Sequence, residues 1–185
     1  MTLMEKTATI AVALTLATAA PATLADEHSA AELPSIELAR CARFEQQREM
    51  ADLDVTLDSA GYFLRQDDAL IWQTTRPVAD RVRLSPDNPD LPRSLSLMLP
   101  VLTGLLDGNW QALRQHFAID PAGESGDWQA RLTPLDAAVA ERLERIDASG
   151  GQRVERLNLA FANGDRVVIR LTPTDCDTLQ GAGHP

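Results

Sequence analysis

Few residues of this 185-residue chain are equipped for chemistry, and their spacing argues against most of it. The histidines are His28, His116 and His184; the cysteines are Cys41 and Cys176. No histidine stands at ligand spacing from either cysteine, so no metal site is expected. His116 with Asp107 or Asp120 is the best case for an acid–base pair, yet neither a nucleophile nor a phosphate loop accompanies it. Glycines nowhere cluster into a phosphate cradle, and no serine sits in a nucleophile elbow. No catalytic residue and no cofactor are therefore expected, and the chain reads as a binder rather than an enzyme.

The N-terminus has the make-up of an export signal. Lys6 gives a positive start, residues 7–20 are apolar and uncharged, Pro21 breaks the run, and Thr23-Leu24-Ala25 offers a small-residue cleavage site before Asp26. An uncleaved membrane anchor is the alternative. No cysteine follows the cleavage site, so the mature chain should not itself be a lipoprotein. Cleavage after residue 25 leaves residues 26–185, enough for a single domain with a real core. Loss of Glu5 and Lys6 leaves the net charge at −10. That balance disfavours nucleic acid and an anionic membrane surface as main partners. In an oxidising compartment Cys41 and Cys176 are expected to be bridged, two free thiols being the alternative.

Strands dominate the elements that could hold a site. In residues 54–65, Val55, Leu57, Ser59, Gly61, Phe63 and Arg65 share one face and Tyr62 and Leu64 the other, the period of two that marks a sheet with one apolar side. Leu70, Ile71 and Trp72 open a third strand that must stop near Pro77, and residues 81–84 make a short fourth. A helix is expected before these strands, over residues 27–39 with a break at Pro34. Residues 95–106 carry Leu95, Leu97, Met98, Leu99, Val101, Leu102, Leu105 and Leu106 and predict a helix that starts near Pro100 or slightly earlier. Such a run is either an ordinary core helix or a lid. Gly108 ends it, and Asn109 caps a second helix with Trp110, Leu113 and Phe117 on one side. Trp128, Ala130 and Leu132 alternate before Pro134, and residues 136–142 suggest a helical turn.

Leu157, Leu159 and Phe161 alternate up to Asn163-Gly164, and Val167, Ile169 and Leu171 alternate away from it. A two-residue turn would point these two apolar faces in opposite directions. A three-residue loop, Ala162-Asn163-Gly164 with Gly164 left-handed, places Leu159 opposite Val167 and Leu157 opposite Ile169. Beyond Cys176 the tail is polar and Gly-rich and is expected to fray.

Several weak motifs occur in a familiar order: Phe44-x-Gln46, Ser59-Ala60-Gly61-Tyr62-Phe63, Trp72 with Pro77, Gly108-Asn109-Trp110, Trp128-x-x-x-Leu132-x-Pro134 and Asn163-Gly164-Asp165. Together, over about residues 37–172, they resemble the outer-membrane lipoprotein carrier (LolA-like) family, of which this would be a shortened, divergent member. The resemblance implies an α+β, mainly β fold: an open antiparallel half-barrel with a short N-terminal helix and a helical lid. It implies a monomeric periplasmic carrier whose cavity holds the acyl chains of a lipoprotein or (glyco)lipid cargo, received from an inner-membrane donor and passed to an outer-membrane acceptor. Family members carry an Arg-Pro pair after the Gly-centred strand, with the arginine implicated in cargo release; here that region reads Arg65-Gln66-Asp67-Asp68. Arg65 either takes that role or is a strand-end charge reaching water. On this reading Val55, Leu57, Phe63 and Trp72 face the cavity, opposite Leu97, Val101 and Leu105. The competing reading is a non-transporting structural or regulatory domain whose interior is filled by its own side chains.

Overall fold

Among the described residues, alternation of apolar and polar residues is realised as nine antiparallel strands in one open sheet. The computed structural model describes residues 33–67, 69–91, 93–124 and 126–181, with backbone only for 93–98 and 180–181. The strands are β1 (Cys41–Met50), β2 (Val55–Gln66), β3 (Ala69–Arg76), β4 (Asp80–Leu84), β5 (Phe117–Glu124), β6 (Asp127–Pro134), β7 (Leu143–Gly150), β8 (Val154–Phe161) and β9 (Arg166–Pro173). The helices are α1 (Arg93–Leu106), α2 (Trp110–Leu113), α3 (Ala137–Ala140) and α4 (Cys176–Gly181). Spatial order is β4-β3-β2-β1-β9-β8-β7-β6-β5, so β1 joins the two runs of consecutive hairpins by pairing with β9. The fold is the expected α+β, mainly β, open half-barrel.

Register decides which residues share the inner face. Ala42 lies opposite Phe63, Phe44 opposite Gly61, and Arg48 opposite Leu57. Phe63 in turn faces Trp72, and Trp72 faces Val82. From the other run, Trp128, Ala130, Leu132, Ile146, Ala148 and Leu157 are all buried. They join Leu99, Val101, Leu105 and Leu106 of α1 and Trp110 and Leu113 of α2 in one core. The predicted late hairpin is found as argued: Leu159 pairs with Val167 and Leu157 with Ile169. Gly164 N–H donates to Phe161 O, Phe161 N–H to Asp165 O, and Gly164 has φ +88°, the left-handed residue that closes a three-residue loop.

Several expectations are corrected. Residues 33–39 are not helical. Their polar groups are engaged elsewhere: Trp110 Nε1 donates to Pro34 O, Glu37 N–H to Gln152 O and Ala39 N–H to Leu106 O. The rest of that predicted helix, residues 27–32, lies outside the described residues. α1 starts at Arg93 rather than near Pro100, and Pro100 sits inside it. Phe117 is not on the second helix: α2 ends at Leu113, and Phe117 opens β5, with Leu135 N–H donating to His116 O. β5 is an edge strand, where Pro121 can be tolerated because no outer neighbour needs its missing N–H. β7 escapes the sequence because its pairing with β8 shifts register between Leu143 and Arg145 and again near Gly150, which breaks strict alternation.

The tail does not fray at Cys176. α4 buries Leu179 against Cys41 and Tyr62 on the outer face, and the Cys41–Cys176 disulfide fastens it there. The predicted signal at residues 1–25 and the mature start at Asp26 lie outside the described residues, as do His28 and His184. No helix among the described residues is long and apolar enough to cross a membrane.

Candidate functional site

Most of the inner face is filled by the protein itself. Phe44 lies over Gly61, where a Cβ would stand 2.9 Å from Phe44 Cζ, and its ring stacks on Trp72 at 4.2 Å. Phe63 stacks on the same indole at 6.2 Å, and Trp110 meets Trp128 edge-on at 5.7 Å. These rings, with Leu99, Leu105 and Leu106 of α1, fill much of the inner face.

Among the described residues, an apolar cavity of about 230 Å³, partly open to solvent, lies between β3–β4 and β8–β9. Trp72, Val82 and Leu84 form one side and Leu159, Phe161, Val167 and Ile169 the other. Gln46 and Arg48 of β1 close the floor, and Leu102 of α1 covers it. A larger cleft of about 610 Å³ is edged by Glu45, Gln47, Asp58, Arg76 and Arg170. Those charges make it unfit for an acyl chain, and β1 alternation places Glu45 and Gln47 on the outer face.

An Arg–Asp pair stands at each end of the inner face. At the end near α1, Arg65 NH2 is hydrogen-bonded to Asp107 Oδ1, just past the last turn of α1. Arg65 Nε is buried and has no hydrogen-bond partner among the described residues. Burial pushes the Asp107 carboxyl above its ordinary value, while the charge and hydrogen bond of Arg65 pull the other way. At the opposite end, Arg48 NH2 donates to Asp165 Oδ2 at 3.0 Å and Ala51 N–H to Oδ1 at 3.0 Å. These bonds, with the Arg48 hydrogen bond foremost, hold the Asp165 carboxyl below its ordinary value. The second pair ties the β8–β9 turn to the β1–β2 turn and fixes Arg48 at the cavity.

Of the seven expected ligand residues whose side chains are described, only Trp72 lines this cavity. Phe63, Val101 and Leu105 are buried in the adjoining core. Val55 and Leu57 share the expected face by register but stand 42% and 51% exposed, beyond the cover of α1. The Leu97 side chain lies outside the described residues. Arg65 is not simply a strand-end charge reaching water, since it pairs with Asp107. The bridge between Cys41 and Cys176 is present, with Cα atoms 5.7 Å apart. His116 is exposed, and Asp107 is engaged by Arg65 rather than by His116.

Val82, Leu84, Leu102 and the inward residues of the late hairpin were not singled out as ligand residues by sequence. The hairpin register did hold their signal, because it turned Leu159, Phe161, Val167 and Ile169 to one side. What it lacked was the neighbour: β9 meets β1, a pairing between residues more than a hundred positions apart.

The family model described as "Outer membrane lipoprotein carrier protein LolA-like" matches residues 42–158, more than half of the chain. No curated protein matches it significantly.

Proposed function

This chain belongs to the LolA-like family of outer membrane lipoprotein carrier proteins, and on that premise we propose that it is a periplasmic carrier of amphiphiles. It takes an acyl chain of a lipoprotein or other amphiphile into the inner-face cavity and moves it toward the outer membrane. The observation that carries this reading is the cavity beneath Leu102: its walls are apolar, and Arg48 is the charged residue that lines it. Burying about ten methylenes would contribute roughly 8 kcal/mol gross. Costs of association and ordering reduce this to an affinity in the micromolar range or weaker, suited to hand-over.

Export by a cleaved signal over residues 1–25 would place the protein in the periplasm as a monomer. An inner-membrane donor and an outer-membrane acceptor are the partners such a route requires. Arg65 and Asp107 act as a strap between β2 and the end of α1 that must part when the helix lifts. Val55 and Leu57 extend the apolar face outward from the cavity, where an entering chain would first make contact. The non-transporting reading draws on the aromatic packing that fills much of the interior.

Native mass spectrometry of protein purified from the periplasm separates the two. A co-purifying amphiphile, displaced by a fluorescent fatty acid, is the expected result. A bare polypeptide mass together with no binding of any offered amphiphile would leave the non-transporting domain. Sequencing of the same material should begin at Asp26.

A further inference from the structure

The outer face of the sheet carries a row of charges that the fold itself does not use. Register sets this row: Arg156 of β8 lies opposite Arg170 of β9, and Arg170 opposite Glu45 of β1. Glu45 in turn lies opposite Ala60 of β2, and Ala60 opposite Arg76 of β3. Residues directly opposite one another share a face. Leu157, Ile169 and Leu171, the chain neighbours of Arg156 and Arg170, are buried on the inner side, so the row looks outward. Arg76, Arg156, Arg170 and Glu45 are all exposed. The small Ala60 side chain between Glu45 and Arg76 leaves room for the polar cleft that these residues edge.

Packing and pairing do not account for these charges. Like charges directly opposite one another on a sheet are destabilising, and Arg156 and Arg170 are such a pair. Among the described residues, ion pairs engage Arg48, Arg65, Arg131, Arg145 and Arg153, but not Arg76, Arg156 or Arg170. Glu45 is outside those pairs too, whereas Asp58 accepts a hydrogen bond from Gln47 Nε2 at 3.2 Å. Two cationic ends with an anionic site between them are thus open to a partner. Arg170 and Arg76 stand three strands apart, about 14 Å at the usual strand spacing. A uniform polyanion that reached both would have to cross the Glu45 carboxylate, which repels it. An extended polypeptide rises about 3.4 Å per residue, so side chains about four positions apart on one face span the same distance, and the one midway is free to carry the opposite charge.

We propose that this outer-face row docks an extended segment of a partner protein, with two acidic side chains on Arg170 and Arg76 and a basic side chain between them on Glu45. Arg156 reinforces the first contact. The surface lies across the sheet from the cavity beneath Leu102, so partner and cargo do not compete for one site.

The test is a chemical-shift titration of the full mature chain with the end-blocked peptide Ser-Glu-Thr-Lys-Thr-Glu-Ser. Shifts should gather at Glu45, Ala60, Arg76 and Arg170 and fade with added salt. One exposed ion pair is worth up to about fivefold in affinity, so Arg76→Glu with Arg170→Glu should weaken binding about twentyfold. The same double variant should instead bind Ser-Lys-Thr-Lys-Thr-Lys-Ser at the same residues, a gain that a misfolded protein would not show. Ser-Glu-Thr-Glu-Thr-Lys-Ser, of the same composition as the first peptide but with its acids adjacent on one face, should bind the wild type more weakly than the first.

Equal binding of the two isomeric peptides, tighter binding of phosphatidylglycerol vesicles than of the first peptide, or no shift on the outer face would overturn this proposal. Each of those results leaves fatty-acid binding on the inner face, and with it the carrier reading, standing.

Discussion

The two ends of β2 carry the same face and meet opposite fates. Phe63 is fully buried beneath α1, with Arg65 beside it strapped to Asp107. Six residues earlier on the same side, Leu57 is half exposed and lies opposite Arg48, which leans to Asp165. Alternation is unbroken between them, so the difference lies in the third dimension. α1 reaches as far as the cavity through Leu102 but leaves Val55 and Leu57 exposed. A covered end and an exposed end can therefore be built from one strand with one pattern. The two Arg–Asp pairs differ in electrostatics as well: desolvation is the largest cause at Asp107 and the Arg48 hydrogen bond at Asp165, although Asp165 is itself the more buried of the two.

The contrast is most exposed to failure in a pair of truncations. Phe63→Ala should cost about 3–5 kcal/mol in urea unfolding, because it empties a site packed against Trp72. Leu57→Ala should stay within about 0.5 kcal/mol, as surface changes do. Leu57→Arg should weaken fatty-acid binding while the protein stays folded. Equal costs at the two positions would mean that the open end is covered in solution.

Next in size is the disulfide. It spans 135 positions, and chain entropy alone assigns such a loop roughly 5 kcal/mol as an upper estimate. The double change Cys41→Ser with Cys176→Ser should cost about 2–4 kcal/mol and lower the melting temperature by several degrees. Hydrogen exchange should rise in α4 and around Tyr62, on the outer face, before it rises at Leu57. Loss of protection at the open end first would contradict the division drawn here.

A third experiment bears on the strap. Arg65→Leu alone leaves the Asp107 carboxylate partly buried without its cation, and should destabilise the closed form by about 1–3 kcal/mol. Adding Asp107→Leu should return most of that loss, since removing both members of a desolvated pair is often neutral or stabilising. In stopped-flow displacement the double variant should release a fatty acid more slowly than Arg65→Leu. Additive effects of the two changes would show that the pair is not a unit.

How much of this was legible beforehand follows from the range of each signal. The late hairpin register could be fixed from residues 157–171 because the whole argument is local: one loop length puts both apolar faces together. The faces of β2 were equally legible, and Phe63 and Leu57 did land on one side. Their depth was not, because it depends on how α1 lies over the sheet, and that helix begins at Arg93 rather than near Pro100 or slightly earlier. α4 was hidden by its composition: a short polar, glycine-containing segment carries one buried leucine, Leu179, and is held by a covalent bond. The cavity was the least legible feature, since its walls come from β1, β3, β4, β8, β9 and α1 and meet only through the β1–β9 pairing.

The smallest expected effect tests the electrostatic contrast, and its sign differs between the two ends. Asp107 is raised in the folded protein, so its contribution is fully present below the ordinary carboxylate value and is lost as pH rises through its folded value. Asp165 is lowered, so its contribution is present above the ordinary value and is lost as pH falls through its folded value, which lies further into acid. Two windows follow on either side of the ordinary carboxylate pKa of about 3.9. Just above it, acidification should stabilise the wild type through Asp107, and Asp107→Asn should remove that gain. Just below it, acidification should destabilise the wild type through Asp165, and Asp165→Asn should flatten that fall. Urea unfolding across both windows, with each variant's profile subtracted from the wild type, isolates the two terms from the titration of the other carboxylates. Difference profiles of the same sign would mean that burial and hydrogen bonding do not divide between the ends as Asp107 and Asp165 require.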